Sequence, residues 1–473
     1  MFIGARCETA RTPSGVPCAR KPPTTFHSYR MRIAAAAVVT ITQPLRCPAY
    51  ARNRLVINMI NAIFSKNAWR AFIAVALAGH VCFAQDWPQW RGPNRDGVVA
   101  SFIAPKVWPD KLKPIWKVQV GIGHSSPVVV GRRVYLHSRQ EENEVAACFD
   151  LDTGKQLWRD SYPTPYMMNP AAVSHGKGPK STPVVYNNNL YTFGISGILS
   201  CYDTMSGRVR WRKEFSKQFK ATSPHFGAAT SPIVHNGLVI VHVGGHDSGA
   251  LTAFNAETGD VKWTWTGDGP GYASPIVFGS GGTAQIVTQT QKSIAGFSAA
   301  TGEQLWRIPF ETEYVQNIVT PVVYKQTLIF SGLDKGTMAI RVIKRAQKWE
   351  TEQVWLNPEV SMYMNSPVVS GDYLYGLSHK RKGQFFCLDA RTGKTLWSSS
   401  GREGDNAAIV AGGQFLFLLT DAAELIVARS DAKEFEVLKK YSVAASPTWA
   451  HPVPIGNSVL IKDASSLALL SFE

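Results

Sequence analysis

Cysteine is scarce in the part of this chain that carries its pattern. Four of the seven cysteines, Cys7, Cys18, Cys47 and Cys82, fall within the first 84 residues, which leaves Cys148, Cys201 and Cys387. No C-x-x-C-H run and no zinc-like Cys/His spacing occurs, which argues against attached haem and a structural zinc site. Long apolar runs are missing as well. Residues 71–81 are apolar but too few for an ordinary spanning helix, and no later segment qualifies. The phosphate-loop spacing G-x-x-x-x-G-K-[ST] is absent, and so are G-x-S-x-G and any Ser-His-Asp arrangement. Acidic residues are nearly lacking from residues 1–84, where 11 Lys or Arg face only Glu8. That segment therefore carries +10 of the net +16, leaving +6 for the rest. An excess of that size, without a basic run or a stripe of stacking aromatics, fits a solvated surface and excludes a nucleic-acid partner.

What is present is a hairpin that recurs. Residues 148–158 read C-F-D-L-D-T-G-K-Q-L-W, and related text ends at Trp211, Trp263, Trp306 and Trp397. An Asp or Asn at the corner bonds its own backbone, Gly takes positive φ, and alternating strands flank the turn. The regularly placed Trp is expected to pack one repeat onto the next. Upstream of each hairpin a small or polar pair precedes Pro and a β-branched run. These marks stand at Ser126, Thr182, Ser231, Ser274, Thr320 and Ser366, with weaker copies at Ala407-Ala408 and His451-Pro452. They lie 41 to 56 residues apart, the period of a β-propeller with four strands per blade.

The two ends of the repeat region are incomplete in complementary ways. Residues 113–120 read as a Trp-bearing fourth strand with no blade before it, whereas residues 452–473 supply three strands and stop. The expected fold is all-β: an eight-bladed propeller over residues 112–473, with four-stranded antiparallel blades and the last blade closed by the N-terminal strand. Trp116, Trp158, Trp211, Trp263, Trp306, Trp355 and Trp397 are the expected blade-docking residues, with Tyr441 standing in for the seventh repeat. Cys148, Cys201 and Cys387 share one strand position on different blades, so buried, unpaired thiols are expected. Residues 85–111 read as an irregular arm anchored by Trp87, Trp90 and Trp108.

The beginning of the chain reads as targeting. Lys66 and Arg70, the apolar residues 71–81 and the cut-like Cys82-Phe83-Ala84 describe a secretory signal at residues 59–84. Residues 1–58 then form a start-site extension, with Met31 as an alternative start. Acylation of Cys82 is the alternative to cleavage after Ala84, but Val81 stands where such signals prefer Gly or Ala. The expectation is a periplasmic or secreted monomer without a transmembrane helix.

The D-x-x-T-G-x-x-x-W hairpins resemble the pyrroloquinoline-quinone-type propeller repeat over about residues 112–473. The opening W-P-Q-W-R-G-P-N-R-D-G, with S-H-G-K-G-P-K-S-T-P, is similar to exported bacterial PQQ-binding-like propeller proteins. Two groups share the repeat: quinoprotein dehydrogenases, which hold quinone and calcium at the channel mouth, and the BamB-type scaffold, which binds no cofactor. The dehydrogenases carry an adjacent Cys-Cys pair and a Glu, Asn and Asp calcium set. This chain has no Cys-Cys, and only scattered acids occupy its loops: Asp268, Glu311, Glu313, Glu359, Glu403 and Asp405. The resemblance therefore implies a non-catalytic binding or scaffold module with no cofactor and no metal. A PQQ and calcium-dependent dehydrogenase, or a degenerate relative, is the alternative.

A rim of polar and aromatic residues in the loops entering each innermost strand is the candidate site for a protein or small-molecule ligand. It comprises His124, His175, Lys177, Lys180, His225, Tyr272, Tyr314, Gln316, Asn317, Tyr363, Asn365, Asn406, Trp449 and His451. Residues 162–183 form its longest loop and read as a lid. No catalytic residue is assigned, although an enzyme working through the rim histidines is a third reading. Intact mass of protein from its native host should place the mature N-terminus at Gln85; retention of residues 1–58 would refute the export reading.

Overall fold

The corner of each hairpin shows why these residues form these elements. In residues 150–154 the Asp150 carboxylate accepts from the Thr153 amide at 3.0 Å and its hydroxyl at 2.7 Å. Gly154 then turns at φ +68, and a Cβ there would meet the Trp116 ring at 2.7 Å. The glycine is thus required twice, for its backbone conformation and for the indole lying on it. The pattern repeats around the ring: Trp158 lies on Gly207, Trp211 on Gly259, Trp263 on Gly302 and Trp355 on Gly393. Each docked Trp also donates its indole N–H to a carbonyl of the next blade. Trp158 reaches Thr204 O at 2.8 Å, Trp211 Ala256 O at 3.1 Å, Trp263 Ala299 O at 3.2 Å, Trp355 Ala390 O at 3.0 Å and Trp397 Asp431 O at 2.9 Å. Trp306 is the exception. Its N–H turns to Gln285 Oε1 of its own blade at 2.7 Å, although its ring packs with Leu328, Phe330 and Ile340 of the next. The cause is that blade five has no short corner there, only a long hairpin, Thr337–Arg345 and Lys348–Asn357.

This computed structural model describes residues 86–100 and 102–473; the start-site extension and signal segment expected from the sequence lie outside them. The described residues form eight sheets, the four-stranded antiparallel blades of a β-propeller, one of which carries a fifth, parallel strand. Blade one runs from Val128–Val130 to Gln156–Pro163, and blade seven from Ala407–Gly412 to Val437–Ser442. Blade eight joins both ends of the chain. Lys113–Gln119 pairs with Ser466–Ser471, with Trp116 opposite Leu469, beside Ser458–Lys462 and Val453–Ile455. Trp116 then docks on blade one, its N–H donating to Leu151 O at 2.8 Å. Tyr441 replaces the seventh Trp, and its hydroxyl donates to Pro109 O at 3.0 Å. Cys148, Cys201 and Cys387 are buried free thiols, pushed up to about 11, 12 and 12 by desolvation.

The Ser/Thr marks have a role that the sequence pattern did not disclose. The backbone amides of six of the eight marks donate to the hydroxyl of the next blade's mark, which makes a belt around the channel. His451 N donates to Ser126 Oγ at 2.8 Å, Ser126 N to Thr182 Oγ1 at 3.0 Å and Thr182 N to Ser231 Oγ at 3.0 Å. Ser231 N continues to Ser274 Oγ at 2.9 Å, Ser274 N to Thr320 Oγ1 at 3.0 Å and Thr320 N to Ser366 Oγ at 3.1 Å. The belt is open at blade seven, where Ala407 and Ala408 offer no hydroxyl.

The N-terminal arm fills the channel that the belt encircles. It is not an appendage beside the ring. Trp87 exchanges two backbone hydrogen bonds with Val129 on the inner edge of blade one, at 2.7 and 2.9 Å, and Pro88 O accepts from Val185 of blade two at 2.8 Å. After a turn, Val98–Val99 adds in parallel to the inner strand of blade seven. Arg95 donates to Ser231 O at 3.0 Å and Pro232 O at 2.8 Å on blade three, and Arg91 to Pro367 O on blade six. Burial pulls both guanidinium groups down, to about 10 for Arg91 and about 9 for Arg95, which leaves them charged at neutral pH. Gly92 and Gly97 take positive φ inside this turn, where a Cβ would strike Trp87 or Val368. The W-R-G-P-N-R-D-G text is therefore the sequence of a channel plug.

Because Trp116 does for the closing seam what Trp263 does within the ring, truncating either should cost about 3–5 kcal/mol. Denaturant melts of Trp116→Ala and Trp263→Ala should show comparable losses; a negligible loss for Trp116→Ala would refute closure by this strand.

Candidate functional site

Position within the repeat decides what faces the channel mouth. Counting two residues back from the belt positions 126, 182, 231, 274, 320, 366 and 451 gives His124, Lys180, Ala229, Tyr272, Ile318, Met364 and Trp449. All seven line one cavity of about 400 Å³, together with Ala171, His175, Phe226, Tyr314, Gln316 and Tyr363. The side chains that converge on it are mostly apolar or aromatic. The inner strand of blade one runs away from Ser126 toward Gly131, where Asp86 enters the arm, so the plug comes in from the opposite face. Its tip, Trp90, meets His451 edge-on with ring centroids 5.4 Å apart.

Eight of the fourteen expected rim residues are brought together here: His124, His175, Lys180, Tyr272, Tyr314, Gln316, Tyr363 and Trp449. The other six stand elsewhere. Lys177 pairs with Glu142 at 3.5 Å on the exposed side of the lid. His225 faces His246, with ring centroids at 4.7 Å. Asn317 is buried and its amide donates to Phe310 O at 2.7 Å and Thr290 O at 2.9 Å, holding loops in place. The Asn365 side-chain amide donates to Leu377 O at 2.8 Å, and Asn406 is buried with its backbone N–H donating to Asp421 Oδ1 at 3.3 Å. His451 occupies a belt position against Trp90. Asn317 and Asn365 sit one residue away from the lining register, His451 is itself a belt position, and Lys177, His225 and Asn406 stand outside the cavity wall. A rim read from polar and aromatic loop residues leaves out the apolar Ala171, Ala229, Ile318 and Met364 and also the aromatic Phe226; the two-residue offset finds Ala229, Ile318 and Met364.

One wall of the cavity carries the polar groups. His124 stacks on Trp449 with centroids 5.3 Å apart, and His175 meets the same indole edge-on at 5.0 Å. Burial pulls His124 down to about 3, with help from Lys180, His175 and Lys462, so its imidazole is neutral at physiological pH. His175 is lowered as well, first by burial and then by Lys180. The Lys180 amine donates to Phe226 O at 2.6 Å, and desolvation takes it to about 8. Across the mouth the Tyr363 hydroxyl donates to Gln316 Oε1 at 2.6 Å. The lid over residues 162–183 contributes a short 3-10 helix, Pro170–His175, capped by the Asn169 side chain on the Ala171 amide.

A family profile described as outer membrane protein assembly factor BamB matches residues 141–399. The chain belongs to that family. It is 26% identical over 271 residues to the assembly factor BamB of Shewanella oneidensis, covering 54% of this chain and 66% of that relative. Among solved structures, BamB from Moraxella catarrhalis superposes with a TM-score of 0.56 at 14% identity, over 76% of this chain and 98% of that one. The quinohemoprotein alcohol dehydrogenase of Comamonas testosteroni reaches 0.60 at 13% identity, over 82% of this chain and 80% of its own. At such identities these structures share the fold with the BamB-family chain, and the site must speak for itself.

The donor set of the cavity can be tested against the dehydrogenase group. A calcium ion takes six to eight oxygen ligands, carboxylates prominent among them. The cavity wall has no Asp or Glu. Among the described residues no group of three or more His, Cys, Asp or Glu could hold a metal ion. The residues present do not fit a quinone–calcium pair.

Buried neutral histidines make stability depend on pH. His124, His137 and His451 are held at about 3 and His242 at about 4, each chiefly by burial. The unfolded chain takes up protons as pH falls below about 6.5 while the folded chain does not, so stability is full above that value and is lost toward pH 4. Each such histidine steepens the loss by about 1.4 kcal/mol per pH unit. Chemical melts between pH 7 and pH 4.5 should show a shallower slope for His124→Gln than for the parent; equal slopes would refute the assignment.

Proposed function

We propose that this chain is an exported, non-catalytic scaffold of the periplasm or cell exterior, and that its cavity face receives an apolar or aromatic element of a partner protein. The observation that carries this reading is the plugged channel. The arm floors the propeller from the opposite face, so the mouth is a one-sided cup and not a pore. Its walls are aromatic and apolar, as the anchor pocket of a protein interface is. Around it stand exposed apolar side chains that no core requires: Met167 and Val173 on the lid, and Tyr314 at 68% exposure on the cavity edge. Among the described residues no helix is long and apolar enough to cross a membrane. The relatives named as outer membrane assembly factors support a scaffolding role.

A photo-crosslinking residue at Met167 or Tyr314 in the native host should capture a discrete envelope protein, and one at Ile115 on the outer strand of blade eight should not. The same protein titrated with pyrroloquinoline quinone and calcium should show no shift of its melting midpoint. A ligand at 100 times its dissociation constant would add about 2.7 kcal/mol, so a saturable shift or dye reduction with an alcohol would overturn the reading.

A further inference from the structure

We propose that Lys180 gives the mouth cavity a second activity, the reversible capture of aldehydes with an aromatic body as imines. This rests on the reading of the cavity as a binding site, and it adds a covalent step that scaffolding does not need. Lys180 stands two residues before Thr182 of the belt, the register that aims side chains at the channel axis. It is the single amine in the cavity wall. No carboxylate lies within ion-pair distance of it among the described residues, and the polar partner it has is the Phe226 carbonyl at 2.6 Å. The other lysines of this face are differently placed. Lys177 is paired with Glu142 at 3.5 Å, and Lys462 is tied to three carbonyls at 2.6 to 3.2 Å outside the cavity wall.

An amine desolvated in an apolar pocket is the form in which lysine acts as a nucleophile. Burial brings Lys180 to about 8, so a useful fraction is neutral near physiological pH and carries a free lone pair. That pair attacks the aldehyde carbon to give a carbinolamine. One amine proton passes to the carbonyl oxygen to form its hydroxyl, the C–O bond then breaks and that hydroxyl leaves as water with the second amine proton, and a C=N bond replaces C=O; no oxidant or reductant is involved. His175 lines the same cavity and can take a proton at a ring nitrogen and return it to the departing hydroxyl, whereas His124, whose protonation burial strongly disfavours, stays a neutral part of the wall. Trp449, Tyr272 and Phe226 offer the ring faces and edges that would hold an aromatic body.

The test uses 2-naphthaldehyde with cyanoborohydride on the purified protein at about pH 8, followed by peptide mapping, and compares Lys180 with Lys177 as a surface control. Lys180 should carry at least roughly tenfold more reduced adduct, since its desolvated amine is free of a carboxylate partner while that of Lys177 is paired with Glu142. Lys180→Arg keeps a donor for Phe226 O but cannot form an imine, and should lose this adduct while remaining folded. Binding of 2-naphthalenemethanol, which has no carbonyl, is followed in parallel by thermal shift. Retained alcohol binding with equal labelling of Lys180 and Lys177 overturns the imine proposal alone. Absence of both alcohol binding and selective labelling overturns it together with the binding role of the cavity. The labelling ratio in the parent protein decides the matter even where the Arg variant does not fold.

Discussion

A propeller channel is walled by the inner edges of its blades, and the backbone groups on those edges have no neighbouring strand. Each unpaired N–H or C=O sealed from water costs on the order of 1–3 kcal/mol, so the wall must be wet, capped or covered. This chain covers and caps it. Six inter-blade bonds of the hydroxyl belt satisfy amides at one level of the ring. Below it the arm pairs with the inner edges of blades one, two and seven, and its two arginines take carbonyls of blades three and six. The belt fails at blade seven, and it is blade seven that receives the arm as an extra strand.

The outer circumference is held by a different contact with the same logic of succession. A Trp on one blade lies on the Gly corner of the next, and most of these indoles cap a carbonyl there. Because every contact points in one direction around the ring, the last blade must hand on to the first. Trp116 performs that step although it arrives from the other end of the sequence. Phe102 and Trp108 pack with Phe417 and Phe472 between plug and closing strand. Closing the ring and filling the channel are therefore carried out by one continuous segment.

The blades were legible because local chemistry dictates them. Asp, Gly and Trp in fixed register name a turn, a conformation and a contact, and the two partial repeats could be added together without knowing the structure. The plug was not legible. Trp87, Arg91 and Arg95 lie in text with no period, and pairing with edges as distant in sequence as 231 and 411 leaves no local mark. The site stands between these cases. A search for polar loop residues found the His124, Lys180 and Trp449 wall, but it also took Asn317 and Asn365, whose amides are used up in holding loops. It passed over Ile318 and Met364 because apolar residues give no chemical signal until their register is known.

That register also explains how one face acquires seven of the residues lining its site, to which the lid adds Ala171 and His175. Successive belt positions lie side by side around the channel, so whatever stands two residues earlier in each repeat is collected at the mouth. A change at any one of these positions alters the cup while the belt, which uses a backbone amide and a hydroxyl two residues on, keeps the blades in place. Stability and recognition thus occupy neighbouring residues with little interference. The plug completes the separation: by closing the channel from the other face, it turns a ring of eight loops into a floored cavity in which His124 and Lys180 are desolvated and Trp449 is held between two imidazoles. The same residues around an open, water-filled channel would keep their ordinary acid–base character.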